Sequence, residues 1–124
     1  MTAWTNDELT SIGTADELQI SSARRDGTLG NPRTIWVVRV GDDLYVRSMY
    51  GRGGGWFPAT QARHQGHIQA GGVDKDVTFA DPDPNLNDQI DAAYRDKYRC
   101  YGERIIGGVV NPEARAATIK LLPN

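Results

Sequence analysis

The chain has 124 residues and a net charge of −2, and this length predicts one domain that spans residues 1–124. No apolar run approaches the roughly 20 residues that span a bilayer, which argues against a membrane protein. The single cysteine excludes an internal disulfide, and the polar start without a secretory signal predicts a cytoplasmic location.

The positive charges are concentrated in one part of the chain. Residues 24–63 contain seven arginines and three aspartates, a net charge of +4, so the remainder carries −6. All seven cations are arginine, whose planar guanidinium suits bidentate recognition of phosphate or carboxylate. The stretch therefore indicates an anion site, with a solvated basic face as the alternative. The negative total argues against a nucleic-acid partner.

Residue periodicity and turn residues predict helices and strands in alternating groups. In chain order they are a helix over 6–13, strands over 17–25, 34–40 and 44–49, a helix over 56–64, strands over 67–70 and 74–79, a helix over 86–101 and a strand over 116–122. Thr5 and Glu8 form a capping box at the first helix, and Gly66 closes the second. The short connections favour antiparallel neighbours, so we expect an α+β, mainly β fold: a six-stranded antiparallel barrel with two or three flanking helices.

Three further expectations concern particular segments of the chain. The run 34–40 is β-branched and aromatic on both faces, which is typical of a central strand. Gly107 and Gly108 predict an irregular segment before the last strand. Cys100 is expected to be a buried thiol.

A glycine-rich loop over 51–55 is the main candidate binding element. Its backbone N–H groups could hold a phosphate, assisted by the N-terminus of the helix that follows. No Gly-Lys-Ser/Thr follows, so the loop is not a P-loop, and a flexible surface loop is the alternative. The aromatic rings of Tyr50 and Trp56 could stack on a conjugated ligand, whereas Trp36 is expected in the core. The candidate ligands at the loop are Arg47, Ser48, Tyr50, Arg52, Gly53, Gly54 and Trp56.

Other chemistry has less support in the sequence. His64 and His67 form an H-x-x-H pair without a third nearby ligand, so no metal site is predicted. The chain lacks a nucleophile elbow and a Ser-His-Asp order, which leaves hydrolysis unsupported and no catalytic residue assigned.

Several stretches resemble a known superfamily. The segment R-R-D-G…N-P-R-T-I-W-V-V-R-V-G-D-D-L-Y-V-R-S-M-Y-G, followed by G-H-I-Q-A-G-G, resembles the flavin-type split barrels. That superfamily includes pyridoxamine phosphate oxidases and deazaflavin-dependent nitroreductases. The stretches A-Y-R-D-K-Y and P-E-A-R-A-A-T-I-K-L-L-P are similar to those of short, uncharacterised bacterial members. The resemblance covers nearly the whole chain and implies a split barrel that forms a homodimer, with the cofactor in a groove at the dimer interface.

The resemblance also implies particular binding residues. These are Arg25 and Gly27 in the turn after the first strand, Arg33 and Thr34 downstream, and Arg47 and Ser48 at the third strand. The chain differs from the deazaflavin group at Asp26 and Ile35, where lysine and proline are expected.

The function expected from the residues and the resemblance together is binding of a phosphorylated flavin-type cofactor, FMN or a deazaflavin. The chain would act as an oxidoreductase or as a cofactor carrier, with the redox chemistry supplied by the cofactor. The alternative is a cofactor-free barrel that binds a small anionic or aromatic metabolite as a carrier, a sensor or a cyclase.

Overall fold

The computed structural model describes residues 3–24, 26–48, 51 and 56–123. Its helices are α1 (Asn6–Thr14), α2 (Phe57–Arg63), α3 (Asn87–Lys97), α4 (Glu103–Val110) and α5 (Pro112–Ala116), with 3₁₀ turns at Pro84–Leu86 and Arg99–Tyr101. Its strands are β1 (Leu18–Ser22), β2 (Arg33–Ile35), β3 (Val37–Val40), β4 (Asp43–Arg47), β5 (Gln65–Ala70), β6 (Val73–Ala80) and β7 (Thr118–Pro123). The predicted capping box is present, because the Thr5 hydroxyl accepts from the Glu8 amide and the Glu8 carboxylate accepts from the Thr5 amide.

The strands form one antiparallel sheet that curls into a nearly closed barrel, in the order β2-β1-β5-β6-β7-β4-β3. The two edge strands, β2 and β3, are consecutive in the chain and are separated only by Trp36. One segment therefore supplies both edges, and the sheet has seven strands where six were expected. The predicted mainly β, antiparallel split-barrel class is confirmed.

The prediction that residues 34–40 form a central strand is wrong. The strand is interrupted at Trp36, whose ring stacks on Tyr98 of the α3 end with centroids 3.9 Å apart and an interplanar angle of 4°. Val37, which follows Trp36, faces the barrel interior, and Val38 faces outward. Both faces of this segment are apolar because α3 covers its outer face, although the segment lies at the edge of the sheet.

Two apolar cores hold the molecule together. The barrel interior contains side chains from the strands and from α1 and α2, among them Leu9, Ile12, Leu18, Ile20, Val46, Phe57, Ile68, Val77, Phe79 and Leu121. The second core lies between the outer face of β3 and β4 and the helices α3 and α4, and contains Val38, Tyr45, Ile90, Tyr94, Tyr98, Ile106 and Val109. Burial of this apolar surface is the main stabilising contribution to the fold.

Three local expectations are corrected by the structure. Helix α2 ends at His64, which adopts a left-handed conformation with φ 56°, whereas Gly66 lies within β5. Gly107 and Gly108 lie inside α4 and are not irregular. Cys100 is exposed, not buried.

Candidate functional site

A groove of about 470 Å³ lies between the end of β1, the turn that leads into β2, and helix α2. Its volume is in the range of small-molecule sites. Its lining residues are Ile20, Ser22, Ala23, Arg24, Gly30, Asn31, Arg33, Trp56, Ala59, Ala62 and Arg63. The charged members of this set are all arginines, so we call it the arginine groove.

Arg33 is placed in the arginine groove by the register of β2 against β1. Arg33 lies opposite Ile20 in the antiparallel ladder. Directly opposed residues project from the same face of a sheet, so Arg33 extends over the face on which Ile20 is buried. Ile20 thereby supplies an apolar floor and Arg33 a cation at the rim.

Arg24 is held by a compact turn that follows β1. The Arg24 amide donates to the Thr28 carbonyl at 2.7 Å, and the Gly27 amide donates to the Arg24 carbonyl at 2.9 Å. Gly27 has φ 88°, a conformation that favours glycine. Asp26 accepts from the hydroxyl and the amide of Thr28, and these hydrogen bonds lower the pKa of the Asp26 carboxyl. The turn therefore fixes the backbone from which Arg24 reaches the arginine groove.

Helix α2 forms the opposite wall of the arginine groove. Trp56 directly precedes the helix, and its half-buried ring lies against that of Phe57 with centroids 6.0 Å apart. Arg63 is in the last turn of the helix. Ala59 and Ala62 line the wall between these two residues, and their small side chains leave room for a flat ligand.

The chemistry of the arginine groove is that of anion binding. Among the residues that the structure describes, the lining includes no carboxylate, histidine, lysine, tyrosine or cysteine, the side chains that usually transfer protons near neutral pH. Three guanidinium groups can bind phosphate or carboxylate, and the indole of Trp56 can stack on a conjugated ring.

The structure brings some of the expected site residues together and separates others. Arg33 and Trp56 both line the arginine groove. Thr34 is next to Arg33, but it pairs with Gln19, and its hydroxyl accepts from the Gln19 amide at 2.6 Å. Neighbouring strand residues project to opposite faces, so Thr34 lies on the other side of β2. Arg25, Tyr50, Arg52, Gly53 and Gly54 lie outside the described residues, and their binding roles stay predictions.

Arg47 lies outside the arginine groove, in a buried hydrogen-bond network between the sheet and α3. Its fully buried guanidinium forms an ion pair with Asp91 and donates to the Val109 carbonyl at 2.8 Å. It also donates to the Thr118 hydroxyl at 2.9 Å and to Asn87 at 3.3 Å. Because these contacts use Nε and both terminal nitrogens, Arg47 links β4 to α3 and β7 and is not available to a ligand.

Ser48 likewise does not line the arginine groove. Its amide donates to the Ala117 carbonyl at 3.2 Å, which continues the contact between β4 and the start of β7. Its hydroxyl is buried and has no hydrogen-bond partner among the residues that the structure describes. Its predicted contact with a cofactor stays a prediction.

Arg24 and Arg63 are groove residues that the sequence reasoning did not select. Arg63 follows Trp56 by seven positions, two helical turns, so both residues share one face of α2. The seven-residue spacing of Trp56 and Arg63 is therefore a sequence signal that both residues lie on one side of α2. Arg24 is adjacent to Arg25, which was selected for its resemblance to a family position.

The two histidines are on different elements and do not form a pair. His64 ends α2, with Nδ1 3.3 Å from the Phe79 carbonyl oxygen. His67 is on β5, between Asp76 at 2.8 Å from Nδ1 and Asp74 at Nε2. No group of three or more histidine, cysteine or acidic side chains within the described ranges could hold a metal ion.

The His67 cluster predicts a pH-dependent contribution to stability. The hydrogen bond to Asp76, and then that to Asp74, raises the pKa of His67. The cluster therefore stabilises the fold fully below the unfolded-state pKa of about 6.5, and this contribution is lost as the pH rises through the higher folded-state pKa. The melting temperature of the unchanged protein should exceed that of His67→Gln at pH 5.5, and the difference should shrink by pH 9.

A matched pair of variants distinguishes the effect of the aspartates on His67 from the effect of packing of the imidazole ring. Asp76→Asn should lower the midpoint of the His67 titration followed by NMR, whereas Asp43→Asn, an aspartate that contacts Lys120, should leave the midpoint unchanged. A difference in melting temperature that is constant from pH 5.5 to 9 would contradict the assignment.

Comparisons with known proteins identify the family of the chain. A family model described as "Uncharacterized protein conserved in bacteria (DUF2255)" matches residues 8–121. The chain belongs to this family. No curated protein matches the chain. No helix in the described part of the chain is long and apolar enough to cross a membrane.

Solved structures with a similar fold have low sequence identity to this member of the family. An "F420 Reductase" has 13% identity and a TM-score of 0.53, with 93% of this chain and 90% of that chain covered. An FAD-binding protein from Mesorhizobium loti has 17% identity and a TM-score of 0.53, with 98% and 89% covered. A putative 5-nitroimidazole antibiotic resistance protein from Bacteroides thetaiotaomicron has 16% identity and a TM-score of 0.55, with 99% and 81% covered. These likenesses show a shared fold and confirm the expected split barrel.

Proposed function

We propose that the chain binds a phosphorylated flavin-type cofactor, FMN or a deazaflavin, in the arginine groove, and acts as an oxidoreductase or a cofactor carrier. The observation that carries this proposal is the convergence of Arg24, Arg33 and Arg63 with the ring of Trp56 on one groove above the apolar Ile20. Additional support comes from structures of similar fold whose names include F420 and FAD.

Different groove residues would contact different parts of the cofactor. The guanidinium groups bind the phosphate through charge-assisted hydrogen bonds, and two or three arginines together match its two negative charges. The indole of Trp56 stacks on the conjugated ring system. The small side chains of Ala59 and Ala62 admit the ring along the wall of α2. The bound cofactor would supply the hydride or electron transfer.

Removal of one groove arginine should weaken phosphate binding selectively. Arg33→Gln deletes a charge-assisted hydrogen bond, which is worth about 1.5–3 kcal/mol, so the affinity for FMN should fall by about 10- to 100-fold. Riboflavin has the same ring system without the phosphate, and its affinity should change little. Quenching of flavin fluorescence on titration with protein measures both affinities.

Two further variants complete this test. Trp56→Leu should weaken FMN and riboflavin alike, because it removes the stacking surface that both would use. Arg99→Gln changes an exposed arginine that does not line the arginine groove, and it should leave FMN affinity unchanged. The proposal fails if neither FMN nor a deazaflavin shifts the melting temperature, or if Arg33→Gln weakens riboflavin as much as FMN.

The proposal includes a homodimer in which a second copy lies close to the arginine groove. Support comes from β2, which is an edge strand of the sheet and contributes Arg33 to the groove. Light scattering measures the assembly directly, and a monomer at the concentrations used for binding would remove this part of the proposal.

The cofactor-free alternative has one observation in its favour. The described residues that line the arginine groove carry no side chain suited to proton transfer, which is consistent with binding alone. Phosphorylated or carboxylated metabolites that raise the melting temperature, together with flavins that do not, would select this alternative.

A further inference from the structure

The three lysines of the chain have different electrostatic surroundings. Lys75 forms an ion pair with Glu8 at 2.7 Å, and Lys120 lies 3.6 Å from Asp43. Lys97 has no carboxylate at ion-pair distance within the described part of the chain, and its Nζ instead donates to the Val37 carbonyl. Lys97 is therefore the one of the three whose charge is not balanced by a direct partner there.

The Lys97 amine lies in a partly buried position at the edge of the barrel. Its Nζ donates to the Val37 carbonyl at 2.6 Å and lies 5.1 Å from the centroid of the Tyr98 ring. Burial favours the neutral amine and lowers the pKa of Lys97 to about 8, and the Asp16 carboxylate opposes this effect only in part. A substantial fraction of the amine is therefore neutral, and so nucleophilic, near physiological pH.

A second cavity of about 450 Å³ gives small molecules access to this amine. It lies between α1, β3 and α3, away from the arginine groove, and Lys97 and Arg39 both line it. Asp16 and Asp96 are the carboxylates in the lining. The Arg39 Nε donates to the Gly41 carbonyl at 2.8 Å, and Nη2 lies 3.9 Å from the exposed Asp42, so its terminal nitrogens can still bind an anion.

We propose that Lys97 is a covalent modification site that is acylated by small acyl phosphates entering this cavity. The neutral amine attacks the acyl carbon, a C–N bond forms, and the bond from that carbon to the phosphate oxygen breaks. Phosphate leaves with the electron pair and is bound by Arg39, while the surplus proton on nitrogen passes to solvent. The amide product keeps one N–H, which can continue to donate to the Val37 carbonyl.

Site-resolved acetylation tests the reactivity of Lys97. The unmodified protein is incubated with acetyl phosphate at pH 7.5, and the modified fraction of each lysine is followed by peptide mass spectrometry. The neutral fraction of Lys97 is larger than that of an ordinary lysine, and this gain is offset in part by the weaker nucleophilicity of a less basic amine. Lys97 should therefore react on the order of tenfold faster than Lys75 and Lys120, which are held in ion pairs. Equal or slower reaction of Lys97 would overturn the proposal.

A change of acyl donor tests the role assigned to Arg39. Arg39→Gln should slow acetylation of Lys97 by acetyl phosphate about fivefold or more, because the variant loses a charge-assisted hydrogen bond to the leaving phosphate. It should not slow acetylation by p-nitrophenyl acetate, whose leaving group is no phosphate. An unchanged rate with p-nitrophenyl acetate would also show that the Lys97 amine keeps its reactivity in Arg39→Gln. Arg104→Gln, outside the cavity lining, should change neither rate. An unchanged rate with acetyl phosphate in Arg39→Gln would overturn the choice of acyl phosphates.

Discussion

Asp91→Ala is expected to lower the free energy of unfolding by about 3–5 kcal/mol, the usual cost of removing one partner of a buried ion pair. The side chains of Arg47 and Asp91 are 0% and 5% exposed, so the guanidinium has little access to bulk water that could solvate it once the carboxylate is removed. The other contacts of Arg47 among the described residues are carbonyl, hydroxyl and amide groups and the Tyr94 ring, none of which carries a full negative charge. Urea unfolding followed by circular dichroism measures the change.

Asp88 provides a matched control on the same helix. Its side chain is 90% exposed and contacts Arg115, which also contacts Asp91. Asp88→Ala should change stability by less than about 1 kcal/mol, as is usual for an exposed ion pair. The double replacement Arg47→Met with Asp91→Leu removes both buried charges and should recover much of the loss. If Asp88→Ala and Asp91→Ala lowered the free energy of unfolding equally, burial of the Arg47–Asp91 pair would not be the source of the loss.

The role of Arg47 also shows why sequence reasoning misplaced part of the candidate site. An arginine beside a glycine-rich loop suggests an anion ligand, but the sequence does not reveal the face of the strand on which it lies. Arg47 shares the outward face of β4 with Tyr45, and α3 covers that face. Its partner Asp91 is 44 residues away in the chain, a separation that no local pattern reports.

Elements that depend on local signals were predicted well. The capping box at Thr5, the hairpin of β5 and β6, and the last strand are set by neighbouring residues, and the structure contains all three. Strand position within the sheet depends on distant partners, so residues 34–40 were assigned to the centre although they supply both edges. The amide and carbonyl of Val37 at that edge are bound by the Tyr98 hydroxyl and Lys97, which supply contacts that a neighbouring strand would otherwise make.

Helix α4 illustrates the same limit for helices. Gly107 and Gly108 lower the intrinsic helix propensity of the segment, which is why an irregular stretch was expected. Ile106 and Val109 on this helix are nearly fully buried in the second core, and their packing outweighs the weak propensity. Among the expected site residues, Trp56 was selected because it borders the glycine loop and Arg33 because of the resemblance, and both line the arginine groove.

Gly66→Ala is expected to lower the free energy of unfolding by about 3 kcal/mol or more, because two neighbours occupy the space of a Cβ. An added Cβ would lie 2.1 Å from the Ser21 carbonyl oxygen and 2.6 Å from the Phe79 ring. The Ser21 oxygen belongs to β1, which is held between β2 and β5 and cannot move away without breaking a ladder. Denaturant unfolding of the variant measures the loss, and failure to fold is its limiting form.

Two companion variants separate the backbone contact from the ring contact. Gly30→Ala places its Cβ 3.5 Å from the Ser22 carbonyl, also in β1, at an ordinary contact distance, and should change stability by less than about 1 kcal/mol. Adding Phe79→Leu to Gly66→Ala relieves the ring contact but leaves the backbone contact, so the pair should remain less stable than Phe79→Leu alone. If Gly66→Ala is as stable as the unchanged protein, the close approach of β1 and β5 at this position is wrong. The position of β1 over the arginine groove would then also need revision, because Ile20 and Ser22 of this strand line it.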